Sequence, residues 1–589
     1  MDETERKNRE RKSFMSRTQW LIQAKKADFN SIGAAFGISP VTARLIRNRD
    51  VVGMDAVYQY LNGTVEDLYE PALLPDMGRC LQVLQEKIQG KKRIRIVGDY
   101  DIDGICSTYL LYQALTRVGA CVDYEIPDRI KDGYGINQSI IQAAAEDGID
   151  TILTCDNGIA AVEQAGMAAE LGMTMLITDH HDIRQSEEGK DILPLAAAVV
   201  NPKRQDSRYP YPEICGAMVA YKLVLGLYRI FGVPEEEWLD MMEFAAIATV
   251  GDVMKLQDEN RIVVKEGLKR IGRTRNLGLR SLIEKNNLDP EKITAYQIGF
   301  VIGPCLNASG RLETAKLALT MLLSQDEKEA GALADHLKEL NDLRKDMTAK
   351  GVEEAALQVE SQWSEDWVLV IYLPHCHESL AGIVAGRIRE RYHKPAIVLT
   401  PGEEAVKGSG RSIETYHMFQ ALTEADDLLL KYGGHPMAAG LSLKEENIPA
   451  FRRRLNEKAR EKLTEKDFIE KIWIDVALPF EYISEPFIQE LKRLEPFGQG
   501  NEKPQFAQRR LKIRRARVAG KNRNVVMLSL AAENGVTMEA RWFGDGDSFM
   551  EEMGRNQYMD VVYYPEINEY NGNRSIQIVI RQYRFPEIP

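Results

Sequence analysis

Acidic residues and histidines stand at the ends of four apolar runs in this sequence. The runs end in GDYDID (Asp99–Asp103), CDNG (at Asp156), DHH (Asp179–His181) and VGD (at Asp252), and they begin as RIRIV, DTILT, TMLI and FAAIAT. The first three runs predict buried strands, whereas the fourth fits a strand or a helix. Acids repeated at such positions contribute nothing to packing and repel one another unless a cation lies between them. The pattern predicts a cluster of divalent metal ions and, on an α/β scaffold, hydrolysis of a phosphate bond.

Strand runs alternate with helical patterns between Met77 and Asp252. This alternation predicts an α/β fold whose parallel sheet is joined by right-handed crossovers. Ligands of such sheets collect at the C-terminal ends of the strands, which is where the acids fall. The predicted strands are Arg93–Gly98, Cys121–Pro127, Thr151–Cys155, Thr174–Thr178 and Ala196–Val200.

The pattern divides the 589 residues into five segments. We predict an N-terminal helical extension (1–75), a catalytic α/β domain (76–323), a connecting helix (324–361), a second α/β domain (362–462) and an antiparallel OB-type barrel (463–589). Short alternating runs with turn signals such as AGKN and NGNR indicate the barrel. The connecting helix is indicated by leucines at helical spacing, namely Leu333, Leu337, Leu340 and Leu343.

Composition limits the class of protein. The net charge of −12 argues against indiscriminate binding of nucleic acid. The first residues, MDETERKNRERKSF, are charged and lack the apolar core of a secretory signal, and no apolar run is long enough to span a membrane. The seven cysteines form no CxxC pair, which predicts reduced and mostly buried thiols. We therefore expect a cytoplasmic protein that does not bind membranes.

The segment from Phe29 to Val51 resembles a helix-turn-helix, with Gly37 at the turn and Thr42–Arg49 as the recognition helix. The alternative is a pair of packed helices, the second of which is capped by Ser39-Pro40. We favour the packed helices because a two-helix pattern without a dimer signature is weak support for DNA reading.

The spacing of the acids suits two ions. Asp101 and Asp103 are two apart, so at a strand end they point the same way and each can bind one of two adjacent ions. Asp156 can bridge both ions with its two oxygens. His180 and His181 are neighbours and should point in different directions, so we expect only one of them to be a ligand. Asp252 completes a set that suits Mn²⁺ or Mg²⁺ better than zinc.

Two further sequences suggest contacts with a nucleic acid. GSGRS offers backbone N–H groups together with Ser409 and Arg411 as a phosphate pocket, and His435 lies in the nearby GGHPMAAG. The run from Gln505 to Asn524 contains eight basic residues and no acid. Its alternation predicts one cationic strand face that tracks single strands, although a charge run is more often a plain solvated face. That face would carry Arg510, Lys512 and Arg514, with Phe506 and Trp542 as candidate stacking aromatics.

The acid motifs, in their order and spacing, resemble the DHH phosphoesterase superfamily. Within it the chain looks like the RecJ family of bacterial single-strand-specific 5′→3′ exonucleases, a likeness that spans nearly the whole chain. The motifs that carry this closer likeness are GPCLNASGRLETA (303–315), HESLAGIVAGRI (377–388), GSGRS (408–412), GGHPMAAG (433–440) and LEPFGQGNEKPQF (494–506). Two positions matter: Val97 replaces the histidine ligand of related pyrophosphatases, and Cys305 replaces the arginine usual in GPRLNA.

The resemblance implies a DHH catalytic domain, a DHHA1 domain that closes over the metal site, and an OB-fold. It implies that five residues bind two divalent cations and that His181 assists or transfers a proton; the five are Asp101, Asp103, Asp156, His180 and Asp252. It places Arg129, Ser409 and Arg411 near the terminal 5′-phosphate. The further substrate-binding residues that we predict are Asn307, Arg311, His377 and His435.

The function that these expectations favour is removal of 5′-mononucleotides from single-stranded DNA in repair and recombination. One alternative is a DHH phosphodiesterase for short oligonucleotides or cyclic dinucleotides, but a small substrate needs no OB groove. Another is a catalytically silent replication scaffold, which should have lost ligands that are intact here. We expect a monomer whose partners are single-stranded DNA, a single-strand-binding protein and a helicase.

Overall fold

The first α/β domain is built on a parallel sheet of five strands. The computed structural model describes residues 18–133, 135–570 and 572–586. In spatial order the strands are Cys121–Glu125, Arg93–Val97, Thr151–Cys155, Thr174–Thr178 and Ala198–Val200, and each neighbouring pair is parallel. The five predicted strands are confirmed, with small changes at their ends.

Helices cover both faces of this sheet and extend the domain toward the middle of the chain. Those of the crossovers bury their apolar faces against the strands. The helices are Met77–Gln89, Ile102–Arg117, Gln138–Glu146, Val162–Glu170, Gly216–Phe231, Glu235–Asp240, Met242–Gly251, Asp258–Ile271, Leu277–Lys285, Ala295–Gln297, Gly303–Leu312 and Lys316–Leu323, with a π-helical turn at Ile298–Ile302.

The run before Asp252 is a helix, Met242–Gly251, so of the two alternatives for FAAIAT the helix is the correct one. The side chains from Met242 to Thr249 are all buried. A helix buried on every side shows no amphipathic period, which is why the sequence pattern left the choice open.

A single long helix, Glu327–Gln358, joins the two α/β domains and ends in a π-helical turn at Val359–Trp363. Leu337 and Leu340 are buried as predicted. Leu343 is 52% exposed, so the leucine spacing fails there, and the buried face continues instead with Asn341, Thr348 and Gly351.

The second α/β domain has a mixed sheet of five strands. Their order is Leu429–Gly434, Ala438–Leu443, Val406–Arg411, Ala396–Thr400 and Leu369–Tyr372. Only the last two strands pair in parallel, while the other pairings are antiparallel. Its helices are Ala381–Tyr392, Met418–Thr423 and Ile448–Lys462.

The C-terminal domain is a closed barrel, as predicted. Its long strands are Phe506–Ala519, Val525–Ala531, Thr537–Phe543, Asn573–Arg584 and Tyr558–Tyr570 in spatial order, and the last pairs with the first. One pairing, between the third and fourth strands of that order, is parallel. A short strand, Val476–Ala477, and the helices Glu485–Lys492 and Gly546–Met553 complete the domain.

The N-terminal segment packs against this barrel. Its strand Gln19–Ile22 pairs with Lys471–Ile474, and its helices are Phe29–Phe36, Pro40–Asn48 and Met54–Asn62. Thr42, Asn48 and Arg49 of the would-be recognition helix are buried, so that helix cannot enter a DNA groove. The packed-helix interpretation is confirmed.

In the part of the chain that the structure describes, no helix has the length and apolarity required to cross a bilayer. The charged sequence MDETERKNRERKSF lies outside the described residues. All seven cysteines are free thiols, and five of them are buried, as their spacing suggested.

Candidate metal centre and nucleic-acid cleft

The GDYDID segment leaves the strand Arg93–Val97 and turns directly into the helix Ile102–Arg117. Asp101 is the N-cap of that helix, and its Oδ1 accepts hydrogen bonds from the backbone N–H of Asp103 at 3.0 Å and of Gly104 at 3.2 Å. A side chain at Gly104 would collide with the backbone of Asp99. The turn is therefore possible only with glycine there, and it brings three aspartates to the strand end.

Asp103 is held by the N-terminus of a second helix. Its two carboxylate oxygens accept hydrogen bonds from the backbone N–H of Gly216, at 2.6 Å, and of Ala217, at 2.7 Å. The positive end of the helix dipole stabilises this buried carboxylate in its charged form. A Cβ on Gly216 would lie 2.6 Å from Cβ of Asp156, so this helix start also fixes the distance between the two acids.

Asp156 follows the central strand Thr151–Cys155 in a left-handed conformation, with a φ of 60°. The Asn157 side chain fixes the turn, because its Nδ2 donates to the carbonyl oxygens of Val97 at 3.0 Å and of Cys155 at 2.9 Å. Asp156 is buried and points at the imidazole of His180, whose Nε2 lies 3.2 Å from Asp156 Oδ1.

Both histidines of the DHH motif face Asp156. Their ring centroids are 4.5 Å apart, and His181 Nδ1 lies 4.0 Å from Asp156 Oδ1. The expectation that the adjacent rings diverge is wrong. Asp179 causes this arrangement, since its Oδ1 accepts from the backbone N–H of both histidines and lies 2.8 Å from His181 Nδ1.

Asp252 ends the helix Met242–Gly251, and its Oδ2 lies 3.8 Å from His180 Nε2. Every acid and histidine predicted as a ligand thus converges on one place. Three groups have ligand atoms within 4.8 Å of one another: Asp99 with Asp101 and Asp156, Asp103 with His180 and Asp252, and Asp156 with His180 and His181.

The charge balance of this cluster fits cations. Burial, together with neighbouring carboxylates, raises the pKa of Asp99, Asp101 and Asp156, and raises that of Asp252 to about 8. Asp99 Oδ1 is buried without a hydrogen-bond donor among the described residues. A set of carboxylates with imidazole nitrogens in this state suits Mn²⁺ or Mg²⁺, because a bound cation removes the repulsion that raises these pKa values.

The two histidines differ in their protonation. Burial lowers the pKa of His180, which favours the neutral form that binds metals. Burial also acts to lower the pKa of His181, but its hydrogen bond with Asp179 and the negative charges of Asp179, Asp103 and Asp252 together outweigh burial and raise the pKa to about 9. Asp99 and Asp179 were absent from the predicted site, although Asp99 shares the parity of Asp101 and Asp179 opens the DHH motif itself.

A cleft of about 610 Å³ lies beside this cluster, between the two α/β domains. Arg129 stacks on the Tyr100 ring, with its guanidinium carbon 4.3 Å from the ring centroid. Arg411 Nη1 donates to Ser409 Oγ at 3.2 Å and so supports that hydroxyl from behind. The cationic side chains that line the cleft are those of Arg129, Arg184, Lys407 and Lys431, and Ser409 is among its polar lining residues.

Asn307 and Arg311 lie on the helix Gly303–Leu312, which contacts both the GDYDID turn and the second α/β domain. Asn307 Oδ1 accepts the backbone N–H of Ile102 at 2.8 Å, a contact that positions the turn between Asp101 and Asp103. Arg311 Nη1 donates to the carbonyl of Ser379 in the second domain at 2.9 Å. Burial and the nearby Arg129 lower the pKa of Arg311 to about 10, so its surroundings favour an anion.

His377 and His435 both lie on the second domain. His377 caps the short turn Glu378–Leu380, with its Nδ1 at 2.8 Å from Ser379 Oγ. His435 lies exposed at the tip of the hairpin formed by Leu429–Gly434 and Ala438–Leu443. Cys305, which takes the place of the usual arginine, is fully buried.

The strand with the cationic strip, Phe506–Ala519, is not regular. Its pairing shifts register before Leu511 and again after Ile513. Arg510 falls in the first bulge with a φ of 53°, and its backbone N–H donates to Asp560 Oδ1 at 2.8 Å. Each bulge rotates the following side chains to the other face, which the sequence pattern does not indicate.

The strict alternation predicted for this face is therefore wrong. Arg510 and Arg514 are exposed as predicted, whereas Lys512 is half-buried. Beyond the second bulge Arg515 and Arg517 are exposed. The cationic surface therefore continues with residues that strict alternation would place on the opposite, apolar face.

Both candidate stacking aromatics pack in the barrel, Phe506 completely and Trp542 in part. Phe506 is fully buried in the barrel core, so its choice is wrong. Trp542 packs against Phe549 and Tyr583, with ring centroids 5.2 Å away in both cases.

Comparison with known proteins agrees with this geometry. Family models match at residues 93–250 (DHH family, N-terminal domain), 365–461 (DHHA1 domain) and 474–582 (RecJ OB domain). The single-stranded-DNA-specific exonuclease RecJ of Bacillus subtilis (strain 168) is 36% identical over 569 residues, which cover 96% of this chain and 71% of that protein. The protein of the same name from Escherichia coli (strain K12) is 33% identical over 566 residues, with coverages of 92% and 95%.

The fold is also that of a solved relative. The crystal structure of RecJ in complex with Mn²⁺ from Thermus thermophilus superposes with a TM-score of 0.82 at 28% identity, covering 97% of this chain and 80% of that chain. A parallel sheet with acids and histidines at its strand ends, followed by a DHHA1 domain, defines the DHH class of proteins. Given its OB domain and these relatives, the chain belongs to the RecJ family. The resemblance and the fold class predicted from sequence are confirmed.

Proposed function

We propose that this chain is a metal-dependent exonuclease that degrades single-stranded DNA from its 5′ end and releases 5′-mononucleotides. The observation that carries the proposal is the cleft beside the acid cluster, which Arg129 of the first α/β domain and Ser409 of the second both line. The names of the relatives, single-stranded-DNA-specific exonucleases, support the same substrate.

Two divalent cations would be held by Asp101, Asp103, Asp156, His180 and Asp252, with Asp156 shared between them. The RecJ structures from Thermus thermophilus in complex with Mn²⁺ and with Mg²⁺ support these metals. Bound there, the ions would supply an activated water and neutralise charge on the phosphate. Asp99 lies close enough to join the same ligand shell.

The protein's own residues would orient the strand and manage protons. Arg129, Ser409 and Arg411 would bind the terminal 5′-phosphate with charge-assisted hydrogen bonds. Arg311 would bind the phosphate backbone from the opposite wall, which its anion-favouring environment supports. His181, whose pKa its hydrogen bond with Asp179 and the neighbouring carboxylates together raise to about 9, would hold a proton at neutral pH and give it to the leaving oxygen.

Two other functions are less well supported. A phosphodiesterase for cyclic dinucleotides would leave the arginine-rich barrel without a role. A silent scaffold would leave unexplained why every predicted ligand converges within one cluster.

We also propose that the chain works as a monomer in the cytoplasm, whose reducing conditions suit its free thiols. Its partners would be a single-strand-binding protein and a helicase.

The experiment incubates the protein and Mn²⁺ with single- and double-stranded DNA that carries either a 5′-phosphate or a 5′-hydroxyl. We expect degradation of the single strand only, preference for the 5′-phosphate, and loss of that preference in Arg411→Ala. Asp156→Asn should be inactive, whereas Asp55→Asn, an exposed aspartate of the N-terminal segment, should match the wild type. Equal attack on duplex, or activity of Asp156→Asn, would refute the proposal.

A further inference from the structure

Two aromatic side chains of the first α/β domain stack on each other in solvent. Tyr296 is 64% exposed and Phe300 is 63% exposed. Their ring centroids are 4.6 Å apart and their planes differ by 26°. An exposed, preformed stack of this kind does not contribute to the core, and it leaves an apolar ring face open to water.

The stack lies beside the metal ligands. Tyr296 precedes the π-helical turn Ile298–Ile302 and Phe300 lies within it, and such turns often mark functional positions. This turn packs on the helix that ends at Asp252, since a Cβ on Gly299 would lie 3.7 Å from Val250. One turn further, a Cβ on Gly303 would lie 3.1 Å from Ile102, which separates Asp101 from Asp103.

The other end of the same helical segment reaches the phosphate cleft. Gly310 packs on the carbonyl of Tyr100, and Arg311 bonds to Ser379. The eleven residue-to-residue steps from Phe300 to Arg311 span about 16 Å at helical rise. The segment therefore runs along the metal centre, with a phosphate pocket at one end and two open rings at the other.

The chain that follows Asp252 leads from the metal ligands to the C-terminal barrel. Val253 is 66% exposed and holds a left-handed φ of 57°, which is strained for a β-branched residue. The backbone N–H of Leu256 then donates to the carbonyl of Gln499 in the C-terminal domain at 2.8 Å. A strand with its 5′ end in the pocket would leave the metal centre on this side.

We propose that Tyr296 and Phe300 form a platform on which unpaired bases, roughly three to five nucleotides from the 5′ end, stack as the strand leaves the metal centre. The platform selects single strands, because the bases of a duplex are already paired and stacked and cannot turn onto an external ring. The proposal rests on the function proposed above, since the 5′ end must occupy the cleft.

A base-specific perturbation tests the platform. DNA strands that lack one base at each of positions two to eight are compared with intact strands, on the wild type and on Tyr296→Ala/Phe300→Ala. Affinity is measured in an Asp156→Asn background, so that the result does not depend on cleavage, and KM is measured in the active forms. The exchange Tyr296→Phe/Phe300→Tyr keeps two rings, and Leu357→Ala, which removes a side chain 67% exposed on the long helix, is the control.

We expect the double alanine variant to weaken single-strand binding about tenfold or more, with an equal rise in KM. Missing bases near positions three to five should weaken binding to the wild type and to the ring-exchange variant, but not to the alanine variant. Unchanged affinity of the alanine variant, or the same response to missing bases in both proteins, would overturn the platform. If the wild type cleaved no single strand, the proposed function would fail, while the binding comparison would still decide the platform.

Discussion

Arg261 connects the first α/β domain to the barrel, and its replacement should separate the two. Its guanidinium is buried and donates to the carbonyls of four consecutive residues, Arg493–Pro496, and to that of Tyr60. It also lies over the Tyr60 ring, 4.0 Å from the centroid. Arg261→Met would leave the carbonyls of Tyr60, Arg493 and Glu495 without a side-chain donor, because Asn501 Nδ2 also donates to those of Leu494 and Pro496. At about 1 kcal/mol for each of the three carbonyls left unsatisfied, the expected loss is roughly 3 kcal/mol.

The loss should appear as a separate transition because the chain has several domains and need not unfold in one step. Calorimetry and urea unfolding, followed by limited proteolysis near the connection between domain and barrel, would detect it. We expect the barrel to be released first and cleaved while the metal-binding domain stays folded.

Lys269→Met on the same helix is the matched control, since Lys269 pairs only with Glu266 among its described ion-pair partners. Its stability should stay within about 0.5 kcal/mol of the wild type. If Arg261→Met lowered the free energy of unfolding by less than about 1 kcal/mol, or if all domains still unfolded together, the role assigned to the hydrogen bonds of Arg261 would be refuted.

Three further predictions use other parts of the chain. Burial raises the pKa of Glu243 from 4.5 to about 8, so between these pH values the folded state holds a proton that the unfolded state releases. The free energy of unfolding should therefore fall as pH rises through this window, by at most about 1.4 kcal/mol per pH unit. Glu243→Gln should flatten this dependence of the unfolding free energy on pH. Gly216→Ala should abolish Mn²⁺ binding in calorimetric titration by displacing Asp156, whereas Gly166→Ala, with open space around its Cβ position, should bind normally. Replacing Arg514, Arg515 and Arg517 by alanine should reduce the slope of log affinity against log salt by about 2, and an unchanged slope would remove the barrel surface from the DNA path.

The sequence predicted the parallel sheet and the ligands because both depend on local patterns. The apolar runs before Asp99, Asp156 and Asp179 have the length and composition of buried strands, and each of them ends in an acid. A parallel sheet brings the C-terminal ends of its strands together at one edge. His180 and Asp156 could be placed in one site without knowledge of any distance.

The parts that were wrong depend on tertiary structure. The convergence of His180 and His181 requires Asp179 to fix both backbone N–H groups. The burial of Phe506 and the bulges around Leu511 follow from closure of the barrel, which no single strand encodes. The stack of Tyr296 on Phe300 was not predicted, and Phe300 lies in a π-helical turn that sequence periodicity does not distinguish from an ordinary helix.

The most direct test of the central claim is the polarity of cleavage. A single strand with distinct fluorescent nucleotides at its two ends is mixed with excess protein and Mn²⁺, and the products are separated at intervals of one turnover. We predict that the 5′-terminal nucleotide appears first as a 5′-mononucleotide, while the 3′-terminal label stays on shortening strands until the end. Release of the 3′ label first, or of internal fragments, would contradict the assignment of the cleft to a 5′ end.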